Sequence, residues 1–418
     1  MDRVYLCVDL KSFYASVECV ERNLDPFKTN LVVADKSRGK GTICLAISPK
    51  MKELGVKNRC RVYEIPKNIK YISAMPRMKL YIKYSADIYS IYLKYIAKED
   101  IHVYSVDECF MDITTYIKLY NKTPEQIAQM IMDDIYNQTG ICATAGIGTN
   151  LFLTKVALDV TAKHEENHMG YLDIESFKKK IWHHRPITDI WNIGPGIASR
   201  LEKYQCFDLY DVSNMKEEIL YKEFGINALY LIDHSHGIEP CTIREIKAYK
   251  SKTKSLSFGQ ALFEDTKYLD AKLILKEMVE LAVLDLVKKD LVTSHLSLSI
   301  GYTKGSIRGT GKSQKIELIT NSYKTILPIF LEMFSETTNR NVDIRKISIG
   351  FGNVISSKYK TVNLFTDEQK EIKEEKLQKT LIDIKKRFGK NAVLKCMNLE
   401  EKATTIKRNK LVGGHNAE

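Results

Sequence analysis

None of the nine cysteines is spaced as Cys-x-x-Cys, which leaves no paired-thiol motif, and several of them, including Cys7, Cys44 and Cys142, lie inside apolar strand-like runs. That pattern predicts reduced core residues of a cytosolic protein. No apolar run approaches the ~18 residues that a membrane helix needs. Asp2 and Arg3 lead directly into a short strand, so the expectation is a cytoplasmic protein with neither leader nor membrane span. Histidines pair at His164 with His168 and at His234 with His236, but neither pair has a third ligand beside it, so surface histidines are expected rather than zinc. A Walker phosphate loop is missing too. Gly309-Thr310-Gly311-Lys312-Ser313 would need glycine at 306, where the chain has Ser306, and the stretch reads as a flexible basic hairpin loop.

What is present is length enough, at 418 residues, for two to four domains, and charge unevenly placed. The whole net charge of +12 falls on residues 241–418, while residues 1–240 balance. A basic carboxy-terminal region behind a neutral half suits a polyanion, because Lys and Arg facing phosphates release counterions; the plainer reading is a solvated basic surface.

Chemistry concentrates in Tyr104-Ser105-Val106-Asp107-Glu108-Cys109-Phe110. Two adjacent carboxylates stand between predicted strands, Ile101 to Val106 and Cys109 to Ile113, at a tight hairpin on a sheet edge. Val4-Tyr5-Leu6-Cys7-Val8-Asp9 is a second buried-type strand ending in an acid, and Ser12 to Glu18 opens a helix after it. If the strands are neighbours, Asp9, Asp107 and Glu108 converge. Three such carboxylates call for divalent cations, and oxygen-only ligands favour magnesium or manganese. Two-metal phosphoryl transfer needs this arrangement. Alone, Asp107-Glu108 would read as a solvated hairpin tip.

The two motifs together resemble those of the Y-family, or translesion, DNA polymerases of the UmuC/DinB type, and the likeness runs from the first strand to about Phe351. It implies an α+β right-hand polymerase with the palm at 1–22 and 75–165, small fingers at 23–74 and a helical thumb at 166–240. The polar, basic stretch 241–254 reads as a linker. Strand, helix, strand, strand, helix and strand over 255–355 make a ferredoxin-like βαββαβ unit, the expected little finger. A charged tail, 356–418, carries one amphipathic helix from about Asp367 to Phe388. Tyr81, Tyr84, Ile88, Tyr92 and Tyr95 form a stripe at helical spacing and read as core. Thr123-Pro124-Glu125-Gln126 has the form of a capping box.

On this resemblance Asp9 and Asp107 bridge two Mg2+ ions, with Mn2+ as a substitute. Glu108 holds the ion that activates the primer 3′-hydroxyl, and the carbonyl of Leu10 is a further ligand. The amides near Phe13 and Tyr14 and the ammonium of Lys163 face the triphosphate, and Tyr14 is the steric gate against ribose. Fingers positions that the family often fills with Tyr and Arg are here Pro49 and Lys52, so the charge stays but the bidentate fork is lost. Lys155 reads as a DNA or phosphate contact or as a plain surface lysine, and Asp112 as structural. Gly194-Pro195-Gly196 resembles a helix-hairpin-helix, whose glycines let amides approach a DNA phosphate. Thr361 to Phe365 resembles the Gln-Leu-x-Leu-Phe peptide that enters a bacterial sliding clamp, with Leu364 and Phe365 as anchors; the alternative is a hydrophobic staple for the next helix. The implied activity is low-fidelity translesion synthesis on primer-template DNA with dNTPs. A nucleotidyl cyclase-like palm enzyme and a catalytically inactive DNA-binding accessory are the competing readings, and the need for an activating accessory protein stays open.

Overall fold

The computed structural model describes residues 3–39, 41–252, 254–362 and 367–418. The chain divides into two compact units, Met1–Lys250 with His415–Glu418, and Ser251–Gly414.

In the first unit Tyr5–Leu10 (β1) runs through the core and turns into the helix Phe13–Val20. Leu31–Val33 (β2), Ala46–Ile47 (β3) and Ile72–Ala74 (β4) then form a small separate sheet in the order β3-β2-β4, packed over Val32, Cys44, Ile47, Met51 and Ile65. The chain returns through the helix Met78–Tyr95 to Ile101–Val103 (β5), Glu108–Asp112 (β6), Ala143–Gly148 (β7) and Met169–Leu172 (β8). With β1 these make one sheet in the order β5-β6-β1-β7-β8. The acidic hairpin thus lies at one edge of the sheet as expected, with β5 outermost and β6 the next strand in. Tyr81, Ile88 and Tyr92 are buried as the stripe's spacing predicts, while Tyr84 and Tyr95 are half-buried and donate their hydroxyls to Glu21 and Asp134. Thr123 and Gln126 exchange the two hydrogen bonds of a capping box over the helix Pro124–Thr139.

The helix after β7 presses unusually close to the sheet. A Cβ on Gly148 would stand 2.5 Å from the Thr154 nitrogen, and one on Gly146 2.5 Å from the Leu158 nitrogen, so only glycine admits this approach. The sequence predicts an uninterrupted helix from Leu151 to Ala162. Instead α-helix ends at Val156, a π turn spans Ala157–Thr161 and a 3-10 turn covers Ala162–His164. Residue periodicity carries no mark of such a turn, and π turns concentrate at functional sites. Beyond β8 follow short helices, among them Pro195–Glu202 behind Gly194. His234 is buried rather than superficial: its ring stacks on Phe152 at 4.1 Å between centroids, and its Nε2 lies 3.0 Å from Glu239. The division between the two units falls inside the predicted linker, but the first part of that stretch is helical. Thr242 and Glu245 cap a helix, Ile243–Ala248, whose Ile243 is buried with Tyr5, Cys7 and Phe110.

The second unit consists of Leu256–Thr266 (β9), a helix Tyr268–Lys288, Leu291–Tyr302 (β10), Thr310–Thr320 (β11), a helix Tyr323–Thr337 and Ile344–Gly352 (β12). Its antiparallel sheet has the order β11-β10-β12-β9, so each β-helix-β half is split by a strand of the other. Gly309 to Ser313, expected as a loop, contributes residues 310–313 to β11. Both helices cover one face over Leu296, Leu298, Ile300, Ile347, Ile349 and Phe351.

The tail is not loose. Its amphipathic helix, Glu368–Phe388, packs on the helix Tyr268–Lys288. Beyond it the carboxylate of Glu277, only 2% exposed, accepts hydrogen bonds from Asn398 Nδ2, the Thr404 amide and hydroxyl, and the Thr405 amide, at 2.7 to 3.2 Å. A buried carboxylate is tolerable only when its oxygens are satisfied in this way. Glu277→Ala is expected to cost the second unit about 2–4 kcal/mol by orphaning those donors. Hydrogen exchange is the measurement: amides of residues 398–409 should lose protection while those of β1, β6 and β7 keep theirs.

Candidate active site

Antiparallel pairing of β1 with β6 sets Asp9 opposite Glu108 and Tyr5 opposite Asp112. One step further the Leu10 amide donates to the Asp107 carbonyl at 2.9 Å, so all three predicted acids reach one end of the sheet. Burial, then Asp107 and Glu108, push the Asp9 carboxyl up to about 7. Asp107 accepts from the Ser105 hydroxyl at 2.6 Å. Glu108 is engaged more firmly. Lys155 Nζ lies 2.7 Å from its Oε1, and the Cys7 thiol donates to the same oxygen at 3.2 Å. Lys155 is buried, which overturns the surface reading. The pull of Asp159 and Glu108 outweighs desolvation and raises its pKa. Asp112 is structural, accepting from the Thr114 amide and hydroxyl.

Among the described residues no three of His, Cys, Asp and Glu are already arranged around a metal position. The donor set nevertheless fits a hard divalent cation, because Asp9 and Asp107 are oxygen donors whose mutual repulsion a cation relieves. Ser12 Oγ, three residues on, is buried without a hydrogen-bond partner.

Beside the acids, Ser12 at φ 48 turns the chain into the helix Phe13–Val20. The first intrahelical bond is from Ser16 to the Ser12 carbonyl, which leaves the amides of Phe13 and Tyr14 as donors at a positive helix end. Phe13 is buried. Tyr14 is half-buried and stacks on Tyr81, ring centroids 4.5 Å apart and planes 15° off parallel. The Tyr81 hydroxyl donates to Glu18 at 2.7 Å, and Arg77 grips the same carboxylate with bonds of 2.9 and 2.8 Å. Burial alone would raise the Glu18 pKa, but Arg77, Tyr81 and Arg22 bring it below the ordinary value. Sequence reasoning missed this brace, since its partners are some sixty residues apart.

Three lysines gather on the open side. Lys52 is lowered by desolvation of its ammonium, with Asp9 opposing and Lys163 adding to the shift. Lys11 is lowered likewise, first by burial, and its Nζ lies 3.1 Å from His168 Nδ1. The predicted Lys52 thus feels both Asp9 and the predicted Lys163, and Lys11 feels Lys52 and Asp9. Burial, then Asp107, raise the Tyr14 pKa, and Arg59 opposes them. The structure also places Pro49 at the first turn of the helix Pro49–Glu53, where it shapes the helix start.

Residues 8–159 match the impB/mucB/samB family, and residues 253–364 match that family's C-terminal domain. UvrX of Bacillus subtilis (strain 168), whose given name assigns it to UV-damage repair, is 30% identical over 98% of this chain and 97% of its own length. The chain is a Y-family DNA polymerase. DNA polymerase IV 2 of the same organism is 28% identical, with 99% of each chain covered. Among solved structures, a Y-family DNA polymerase chimera of Dbh and Dpo4 superposes with a TM-score of 0.62 over 84% of this chain and 99% of its own, at 21% identity, and shares the fold.

Two further surfaces of the polymerase present backbone with little side-chain cover. A Cβ on Gly194 or Gly196 would meet no atom within 4 Å, so these glycines serve no internal packing and their backbone is open to a group from outside. The preceding Trp191 donates its indole N–H to the Tyr104 hydroxyl at 3.1 Å, which ties this turn to the acidic hairpin. In the second unit the face without helices is built from cross-strand rows of very small residues. Ser313, Ser297, Gly350 and Ser257 form one row, and Gly311, Ser299, Ser348 and Gly259 the next. His295 with Lys315 lies at one end and Lys346 at the other. Such a floor lets a sugar-phosphate backbone approach closely between cationic margins.

Asp9 also gives a pH prediction. Its folded pKa lies above that of the unfolded chain, so the metal-free protein keeps the associated stability at acid pH and loses it as pH rises from about 4 to about 7. Asp9→Asn should therefore stabilise the metal-free protein at pH 8 by roughly 2–4 kcal/mol, a gain that shrinks toward zero near pH 4. Thermal melts in chelator at several pH values give the test.

Proposed function

We propose that this polymerase adds deoxynucleotides to a primer 3′ end opposite a template, copies past damaged template positions, and uses two divalent ions, Mg2+ or Mn2+. The observation that carries the reading is the pairing of β1 with β6, which sets Asp9 against Glu108 with Asp107 alongside, at the mouth of the helix that bears Tyr14. Asp9, Asp107, Glu108 and the Leu10 carbonyl would hold the ions. When bound, these ions lower the pKa of the primer hydroxyl and neutralise charge on the pyrophosphate leaving group.

The chain's own groups do the rest. Amides of Phe13 and Tyr14, with Lys11, Lys52 and Lys163, orient the triphosphate. The Tyr14 ring, held flat by Tyr81, closes the space where a ribose 2′-hydroxyl would lie. Gly194 and Gly196 hold a DNA phosphate through their amides, and the Ser/Gly face of the second unit follows the duplex backbone. A soluble cytoplasmic setting fits such substrates, and no helix among the described residues is long and apolar enough to cross a membrane. For a sliding clamp the candidate segment begins at Thr361, whose hydroxyl accepts from the Ile319 amide at 2.8 Å, and passes through exposed Val362. Leu364 and Phe365 themselves lie outside the described residues.

Primer extension tests the reading. Asp107→Ala should reduce nucleotide incorporation to background while DNA affinity stays nearly unchanged, because affinity rests on many backbone contacts elsewhere. Incorporation by that variant at saturating magnesium would overturn the assignment.

Sugar choice supplies a second measurement. Tyr14→Ala should lower the preference for dNTP over rNTP by roughly two orders of magnitude, the scale on which pocket shape alone rejects an added hydroxyl. Single-nucleotide insertion kinetics with both substrates read this directly, and an unchanged ratio would return Tyr14 to the core.

A further inference from the structure

Lys155 is the one predicted cation that the structure places inside the acid cluster rather than around it. Its Nζ lies 2.7 Å from Glu108 Oε1 and 3.2 Å from Asp159 Oδ2, and 5.8 Å from the centre of the Tyr104 ring. An ammonium has three donors and no acceptor, so these neighbours account for its charge. The side chain is 9% exposed and the helix that carries it is pressed against Gly146 and Gly148, so its ammonium is held among these carboxylates. We propose that Lys155 is a positioning residue of the acid cluster, which holds Glu108 as an internal counter-ion in the metal-free polymerase and competes with the incoming cation for that carboxylate. This rests on the reading of Asp9, Asp107 and Glu108 as the metal ligands.

Asp159 makes the exchange feasible. Taking the only carboxylate away from a buried ammonium strands its charge in a poorly solvated place, at a cost of several kcal/mol. Lys155 has two carboxylates, so when Glu108 turns to a metal ion the ammonium keeps Asp159. The two acids are four residues apart from the lysine in one case and across the sheet in the other, so one hold is local and permanent while the other can be given up. Asp9 and Asp107 then form the part of the site available from the start, and Glu108 joins only against the competition of Lys155. Metal affinity in the absence of DNA is thereby kept low by a residue that touches neither substrate nor metal.

The test is Mn2+ binding to the full-length, DNA-free protein, followed by the electron paramagnetic resonance of free Mn2+. Lys155→Met, and Lys155→Gln as a second neutral variant in case the first fails to fold, should lower the half-saturating Mn2+ concentration by about tenfold. Lys155→Arg, which keeps the charge, should stay near wild type. Lys52→Met controls for the general cationic field near Asp9 and should give a smaller shift than Lys155→Met. Unchanged or weaker binding in the neutral Lys155 variants, or an equal shift in Lys52→Met, overturns the proposal. Asp107→Asn separates the two levels: if it leaves wild-type Mn2+ binding intact, the metal-ligand reading itself falls.

Discussion

Carboxylates brought together at the end of a sheet repel one another, and much of the first unit is arranged around that repulsion. Asp9 and Glu108 are direct partners in the β1–β6 ladder, and the Asp107 carbonyl closes the next step of it. Backbone pairing thus fixes the acids at a distance their charges oppose. Relief comes from three directions: the buried Lys155 behind Glu108, the positive end of the helix Phe13–Val20 beside Asp9, and the lysines at 11, 52 and 163 on the open side. Each of these is incomplete, and a site left short of positive charge is one that recruits divalent ions and polyphosphate together.

Rigidity is handled differently from charge. Tyr14 lies against Tyr81, Tyr81 is bonded to Glu18, and Glu18 is held by Arg77. A ring so supported is held in one place, the rigidity that the proposed selection against one hydroxyl would require. The second unit takes the opposite approach to recognition. Its rows of serine and glycine offer little side-chain bulk, which suits the proposed contact with the shape and charge of a backbone rather than with its sequence.

Much of this was legible in the sequence wherever a feature is local or periodic. Asp9, Asp107 and Glu108 were readable because each follows or precedes an apolar strand, and strand geometry leaves few places for them to go. The βαββαβ order and the Thr123 capping box were readable for the same reason. What escaped depends on contacts between distant segments. Nothing near Lys155 indicates that its partner is Glu108, forty-seven residues earlier. His234 looked superficial because its burial is made by Phe152, and residues 310–313 looked like a loop because a strand whose outer face carries only glycine, serine and lysine shows no apolar alternation. The helix Ile243–Ala248 was hidden by a polar composition that masks one decisive apolar residue, Ile243.

Glu277 sits in the helix Tyr268–Lys288, yet its hydrogen-bond donors come from Asn398, Thr404 and Thr405. All of the sheet strands β9–β12 precede those donors in the chain. During synthesis on the ribosome the sheet and its two helices can assemble while that carboxylate still faces water, and the helix surface that the tail will cover stays hydrated around it. The segment that follows the strands is then the one that turns this polar surface into interior, so the domain is completed by residues 398–405 and not by the pairing of its strands.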